Sequence, residues 1–312
     1  MHRYKFVLIR PLHFLPVIFG ISIITFVLVR LIPGDPARVL LGARATPTAI
    51  ANIRRQFGLD EPIWLQYLYF LKNLANGEMG KSILYKVDVL KIIATRIEPT
   101  MALVISSVLL SVLIAVPMAA IAARNAGRAP DHAIRIFSTF GIGFPPFWLG
   151  LMLMILFSVK LDLLPVSGYG STLGEKLSHL VLPSLTIALS LSTVLTRSLR
   201  AAMIDSLKSD VATAARARGI PEGTLFWRHV VPNSLVPTIN LLAVNIGWLI
   251  GGTVVIETVF ALPGMGQLLV RAIFSRDYMV VQGVAMVFAC ATVLVNFLAD
   301  IATVAADPRV KL

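Results

Sequence analysis

The chain has 312 residues, of which 57% are hydrophobic and only 14% charged, with a mean hydropathy of +0.82. Ordinary soluble domains carry about 25% charged residues, so this composition excludes a water-soluble globular domain and points to an integral membrane protein. The formal charge of +12 would suggest a nucleic-acid partner in a soluble protein, but here the basic residues sit between apolar runs, and membrane topology accounts for them.

Six runs of at least 19 residues lack Asp, Glu, Lys and Arg: 11–29, 99–123, 136–159, 177–196, 230–256 and 278–299. A spanning helix needs about 20 mainly apolar residues, so the runs predict an all-α membrane protein with six transmembrane helices. The basic opening, residues 1–10, followed by an apolar run resembles a secretory signal. The run is long, holds Pro11 and Pro16 and ends at Arg30 without a small-residue cleavage site, so it reads as a retained first helix.

Residues 31–98 follow as a loop with its own helices. PGDPA (33–37) reads as a turn. Thr46-Pro47 reads as a helix start and Gly58 as its end. Ile63, Trp64, Tyr67, Phe70 and Leu71 trace one face of a second helix, and Val89, Ile92, Ile93 and Ile97 that of a third. Gly80-Lys81-Ser82 imitates the end of a phosphate-binding loop, but the glycine the full pattern needs five residues earlier is Ala75, and no strand precedes it. No nucleotide site is expected.

In span three, Pro145-Pro146 predicts a kink, tolerated where neighbours satisfy the freed backbone groups. Pro183 reads as the first turn of span four. The later spans carry weakly polar and small residues, which mostly serve as glue between helices. Ser190, Asn240, Asn245, Gly251 and Asn296 are the candidates for lining a solute path. No span carries a Lys, Arg, Asp or Glu in its middle, whereas ion-driven transporters usually keep ionisable groups there, and His179, near the start of a span, is a poor relay alone. No catalytic motif occurs, and the single cysteine, Cys290, allows neither an internal disulfide nor a cysteine metal cluster. The chain is expected to hold no catalytic residue, metal or cofactor of its own.

Six spans put both termini on one side. Fourteen Lys and Arg fall in the termini and the 2–3 and 4–5 loops, against four (Lys160, Lys176, Arg271 and Arg276) in the two short loops opposite. The long 31–98 loop lies outside the range over which the charge rule counts, so both termini are read as cytoplasmic and residues 31–98 as extracytoplasmic. Residues 1–30 then form the N-terminus and first span, 31–98 the outer loop, and 99–312 a five-helix core interrupted by the basic loop 203–237.

That loop reads as two short helices with a break. Asp205 to Arg218 is helix-prone, Gly219 suits a C-terminal stop, and Pro221 suits the first turn of the next helix. Leu207, Val211, Ala214 and Ala215 form a shallow apolar face that could lie in a groove on another protein, or on the membrane surface.

At this loop the chain resembles the permease subunits of binding-protein-dependent ABC importers, in the dipeptide, oligopeptide and nickel group. Their cytoplasmic hallmark, E-A-A, three residues, then G and a later apolar-Pro segment, stands here as Thr213-Ala214-Ala215, Arg216-Ala217-Arg218, Gly219 and, further on, Pro237. Thr213 departs from the general Glu in the manner of the peptide group. VRLIPGDPA (29–37), QFGLDEPIWLQY (56–67), NGEMGKS (76–82), HLVLPSLTIAL (179–189) and VIETVFALPGMGQLLVRAI (255–273) with RDYMVVQG (276–283) resemble the family's other motifs, in order and over nearly the whole chain. The resemblance implies a type I importer permease fold, with Thr213, Ala214, Ala215, Arg216, Arg218, Gly219 and Pro237 coupling it to ATPase subunits through a cytoplasmic helix. It also implies a second homologous permease, two ABC ATPase subunits and an extracytoplasmic solute-binding protein, in the cytoplasmic membrane of a bacterium or archaeon. Short peptides lead as solute, with nickel complexes, glutathione, opines and oligosaccharides behind. A secondary transporter, or a scaffold subunit of another complex, is the alternative, and neither needs these motifs together.

Overall fold

A computed structural model of the protein describes residues 15–27, 41, 45–56 and 60–306. Among them the regular structure is helical, and the loops between helices hold one isolated antiparallel bridge, between Lys81 and Asp88. The turn expected at 33–37, the helix end at Gly58 and the basic residues of the two termini lie outside the described residues.

We number the helices α1 (Leu15–Val27), α2 (Pro47–Gln56), α3 (Ile63–Ala75), α4 (Val89–Arg124), α5 (Ala129–Gly143), α6 (Pro146–Met154), α7 (Leu173–Leu207), α8 (Asp210–Ala217), α9 (Val231–Val259), α10 (Met265–Phe274) and α11 (Tyr278–Ala306). Four of them are long and apolar enough to cross a membrane, or five spans if the bent pair around α5 and α6 counts as one. The run at 11–29 is described only over α1, so the count of six is reached only with that helix.

The charge-free runs from residue 99 onward all fall on apolar helices, and those helices overrun them. The third outer-loop helix and span two are one helix, α4, which carries Pro99 and Pro117 inside it. No glycine separates the two apolar patterns, and nothing but a missing N–H interrupts the ladder at Pro99. α7 begins earlier than its charge-free run, with a capping box. The Thr172 side chain accepts from the Glu175 N–H, and the Glu175 carboxylate accepts from the Thr172 N–H. Pro183 therefore lies inside α7 and not in its first turn. Span three is broken outright. Each proline pushes the residue before it out of the α region, and both Phe144 (φ −98°, ψ 131°) and Pro145 (φ −59°, ψ 134°) are extended. The segments on either side are bent by 98°.

The chain forms two compact units. The first comprises Met1–Glu98 and Gln267–Ala291. In it Phe26 of α1 packs edge-on to Tyr67 (centroids 5.0 Å) and near Phe70 (5.7 Å) of α3, while the Tyr67 hydroxyl meets Ser22 Oγ at 2.6 Å. The Gly80-Lys81-Ser82 stretch here makes a structural clamp: Ser82 Oγ and the Leu84 N–H both donate to the buried Asp277 carboxylate.

The second unit comprises Pro99–Gly266 and Thr292–Leu312. One apolar cluster joins small residues of α4 (Ala115, Ala119, Ala123) to Leu195, Leu199 and Met203 of α7 and to Phe226 and Val230 before α9. A second cluster joins Leu103, Leu182, Ile187, Ile256 and Phe260. Beside it lies a group the charge-free runs did not reach. Glu257 near the end of α9 is fully buried and accepts from Thr100 Oγ1 at 2.7 Å, while that oxygen accepts the Met265 N–H at 2.8 Å. The turn leading into α10 is thus wrapped over a carboxylate, and positions 264 and 266 have room only for glycine: a Cβ on Gly266 would lie 2.5 Å from Val254 Cα, and one on Gly264 would collide with the Glu257 carboxylate. Because the Val254 contact is with backbone, it cannot be relieved by a rotamer. Gly266→Ala should cost about 1–3 kcal/mol, read as a lowered unfolding temperature of the detergent-purified chain. An unchanged temperature would show that the turn gives way freely.

Candidate coupling loop and solute path

The basic loop is built differently from its sequence pattern. α7 continues through Asp205 to Leu207, so the helix expected over Asp205 to Arg218 is split. Ser209 makes the break: it is extended (φ −69°, ψ 157°) and its Oγ accepts the Ala212 N–H, capping α8. α8 closes as expected at Gly219, whose φ is +77°. The Ile220 N–H donates to the Ala215 carbonyl (3.1 Å) and the Gly219 N–H to the Arg216 carbonyl (2.9 Å), the paired bonds of a Schellman stop. Pro221 caps the next short helix, Glu222–Leu225, instead of sitting inside it.

The faces of α8 also differ from the expected stripe. Ala212 and Ala215 are buried in the cluster with Leu199, Met203, Leu225 and Phe226. Their small side chains let α8 lie close against its own chain. Val211, Thr213, Ala214, Ala217 and Arg218 are exposed. Ala215 therefore faces inward, and of the Ala214-Ala215 pair only Ala214 is presented outward.

Arg216 ties the loop across itself. Its guanidinium donates to the Glu222 carboxylate at 2.6 Å and to the Leu207 carbonyl at 3.1 Å. The bond from Arg216 and its positive charge hold the Glu222 carboxyl below its ordinary value. A depressed acid stabilises the fold above its ordinary pKa and loses that contribution as pH falls through the lowered value; at this exposed pair the contribution is small. Pro237 lies inside α9 and not in the loop.

Two long-range contacts brace the loop. Arg124, at the end of α4, lies over the Phe226 ring at 5.4 Å from its centroid. Asp131 in the first turn of α5 is fully buried, and the Arg200 guanidinium of α7 grips it with two bonds of 2.5 and 2.6 Å. The Gly127 N–H also donates to Asp131, at 2.9 Å. The sequence pattern gave no sign of this pair.

The candidate path residues divide into two groups. Ser190 and Asn245 line a cavity of about 270 Å³ with Pro146, Ile187, Trp248 and Gly252. Gly251 and Asn296 line another of about 380 Å³ with Gly247 and Thr292, and Trp248 borders both. Asn240 lines neither; its Oδ1 accepts from Thr303 Oγ1 at 2.8 Å, joining α9 to α11. The Asn245 amide donates to the Leu241 carbonyl at 2.7 Å, and Ser190 Oγ is buried without a hydrogen-bond partner.

Comparison with known proteins agrees with this architecture. Residues 115–312 match the family described as binding-protein-dependent transport system inner membrane component, and residues 3–104 match the N-terminal region of such membrane components. The chain is 34% identical over 307 residues to the glutathione transport system permease protein GsiC of Escherichia coli K12, covering 98% of this chain and 99% of that one. The same protein of Salmonella choleraesuis is equally similar, at 34% over 307 residues. Among solved structures, inward-facing MetNI, a methionine ABC transporter, superposes with a TM-score of 0.57 at 15% identity, over 69% of this chain and 96% of that one. An amino acid ABC transporter with histidines superposes at 0.54 with 12% identity, over 68% and 93%. At such identities the structural matches speak for the fold alone. The chain belongs to the binding-protein-dependent transport-system inner-membrane components, as an ABC importer permease of the peptide and nickel group.

Proposed function

We propose that this chain forms half of a translocation pathway for a short peptide or similar small solute, and that α8 couples it to separate ATPase subunits. The observation that carries the proposal is the build of α8. It is a capped, Schellman-closed helix, seated on its own chain by Ala212 and Ala215, with Ala214 and Arg218 left outward. A helix held this firmly by one face can transmit force through the other. Two relatives are named for glutathione transport, which directs the solute toward a short peptide. Lining of Ser190, Asn245 and Trp248 supplies weak polar contacts without a fixed charge.

Binding of ATP to the partners would favour one packing of the spans over another, which is all that coupling requires. The chain purified alone should hydrolyse no ATP above a contamination control. Hydrolysis should appear when the ATPase subunits are added, and robust activity of the isolated chain would remove the reading.

We further place both termini in the cytoplasm and the outer loop outside. Ser82 is buried against Asp277 and is unsuited to labelling, whereas Lys86 and Lys208 are exposed. With Cys290 replaced by Ala, an impermeant thiol reagent on intact cells should label Lys86→Cys and spare Lys208→Cys. The reverse pattern would invert the topology.

A further inference from the structure

The end of the second unit that carries the coupling loop is rich in arginine, and several of these side chains are satisfied internally. Arg200 is held by Asp131, Arg216 by Glu222, and Arg124 lies over Phe226. Arg128 and Arg135 are exposed and make no ion pair among the described residues; Arg135 is near enough to Asp131 to act on its charge, but that carboxylate is buried and gripped by Arg200. Arg128 immediately precedes α5 and Arg135 stands in its second turn, and the Asp131–Arg200 contact fixes the first turn of α5 at the level of the last turns of α7, beside the coupling loop.

α5 is amphipathic along its axis as well as around it. His132, Arg135, Ile136, Thr139 and Phe140 line one open groove of about 280 Å³. Their spacing places them on one helical face, over a length of about 12 Å; Arg128 does not line the groove but, as the residue before the helix, stands four positions ahead of His132 in the same register. The basic groups stand at the loop end, and the far end is apolar, with Ile136 58% and Phe140 64% exposed. The only acid in this helix, Asp131, is turned inward and already neutralised, so nothing on the groove opposes an anion.

We propose that this face binds an anionic phospholipid, its phosphate at Arg128, Arg135 and His132 and an acyl chain along Ile136 and Phe140. Charge complementarity selects the occupant. A neutral apolar partner would leave two arginines unpaired at its edge, whereas an anionic headgroup joined to a hydrocarbon chain matches both halves. Basic side chains at a membrane surface attract anionic headgroups with about 1 kcal/mol each, which is about fivefold in affinity.

The test is native mass spectrometry of the full chain released from mixed micelles containing phosphatidylglycerol or phosphatidylcholine. The wild type should retain phosphatidylglycerol in preference. Arg128→Gln with Arg135→Gln should reduce that retention about 25-fold, by the same fivefold per arginine, and leave phosphatidylcholine unchanged. Arg128→Lys with Arg135→Lys should keep most of it, and the charge-matched control Lys160→Gln with Arg271→Gln should keep all of it. Equal retention of the two lipids by the wild type needs no variant to read and would overturn the proposal. So would undiminished phosphatidylglycerol retention in the Gln variant. If that variant instead loses a co-purifying second permease while keeping its lipid, the face is a protein interface and the proposal fails.

Discussion

Replacing Arg200 by methionine should destabilise the chain by about 3–5 kcal/mol, the largest effect expected from a single polar substitution here. The reason is the asymmetry of the pair. Asp131 has no exposed side-chain surface, whereas the Arg200 side chain keeps 22% of its own. Removing Arg200 strands a buried carboxylate that keeps one hydrogen bond, from the Gly127 N–H, and only the more distant charge of Arg135. Asp131→Asn should cost less, near the lower end of that range, because Arg200 can still reach water and the amide oxygen can keep the Gly127 bond. The double variant, Asp131→Leu with Arg200→Met, should recover most of the loss, since neither charge is then buried alone. Unfolding temperature in detergent and the abundance of inserted chain are the readouts. If the double variant is as unstable as the sum of the singles, the pair is not the interaction that holds α5 to α7.

That contact also marks what a single sequence can and cannot show. The charge-free runs from residue 99 onward found the long apolar helices, because the bilayer sets a length and a polarity that any spanning helix must meet. Helix ends were not legible from them: α7 runs past its apolar stretch to Leu207, carrying Arg197 and Arg200. Nothing prevents a helix from continuing into water with charges on it. The capping box at Thr172 and Glu175 was a readable start signal that hydropathy alone overlooked. The stop at Gly219 was readable for a local reason, the left-handed φ that glycine tolerates. The break at Ser209 was not, since Asp205 to Arg218 contains no glycine or proline. What favours the break is the burial of Ala212 and Ala215 against residues of α7 and the segment before α9. Asp131 and Arg200, 69 residues apart, could be paired only in three dimensions. The weakly polar and small residues of the later spans were readable as a class. Which of them face a cavity depended on helix rotation: Ser190 and Asn245 do, while Asn240 spends its oxygen on Thr303.

Rotation likewise decides the second large effect, in α8. Ala214→Glu and Ala215→Glu introduce the same carboxylate at neighbouring positions and should fail in different ways. Ala215 is 8% exposed within its apolar cluster, so a carboxylate there must be desolvated without a partner, at several kcal/mol, or must lever α8 away from the chain. The second course is cheaper, because α8 is only eight residues long. The loop should loosen, freeing the backbone so that trypsin cuts after the already exposed Arg216 and Arg218 at a rate well above wild type, and transport should be lost. Ala214 points outward, so Ala214→Glu should leave trypsin resistance and abundance unchanged and still weaken docking of the ATPase subunits. Gly219→Val tests the stop itself. A Cβ at Gly219 meets nothing within 4 Å, so the penalty is entirely that of a β-branched residue at φ +77°. The left-handed conformation costs an ordinary residue about 1–2 kcal/mol, and Val more. Gly219→Val should therefore resemble Ala215→Glu in trypsin sensitivity, while Gly219→Asn, which tolerates that φ, should stay near wild type. If Ala214→Glu assembles and transports normally, α8 is a surface helix and the partner docks elsewhere. If Gly219→Asn is as damaged as Gly219→Val, the glycine is required for close approach by a partner and not for its backbone angle.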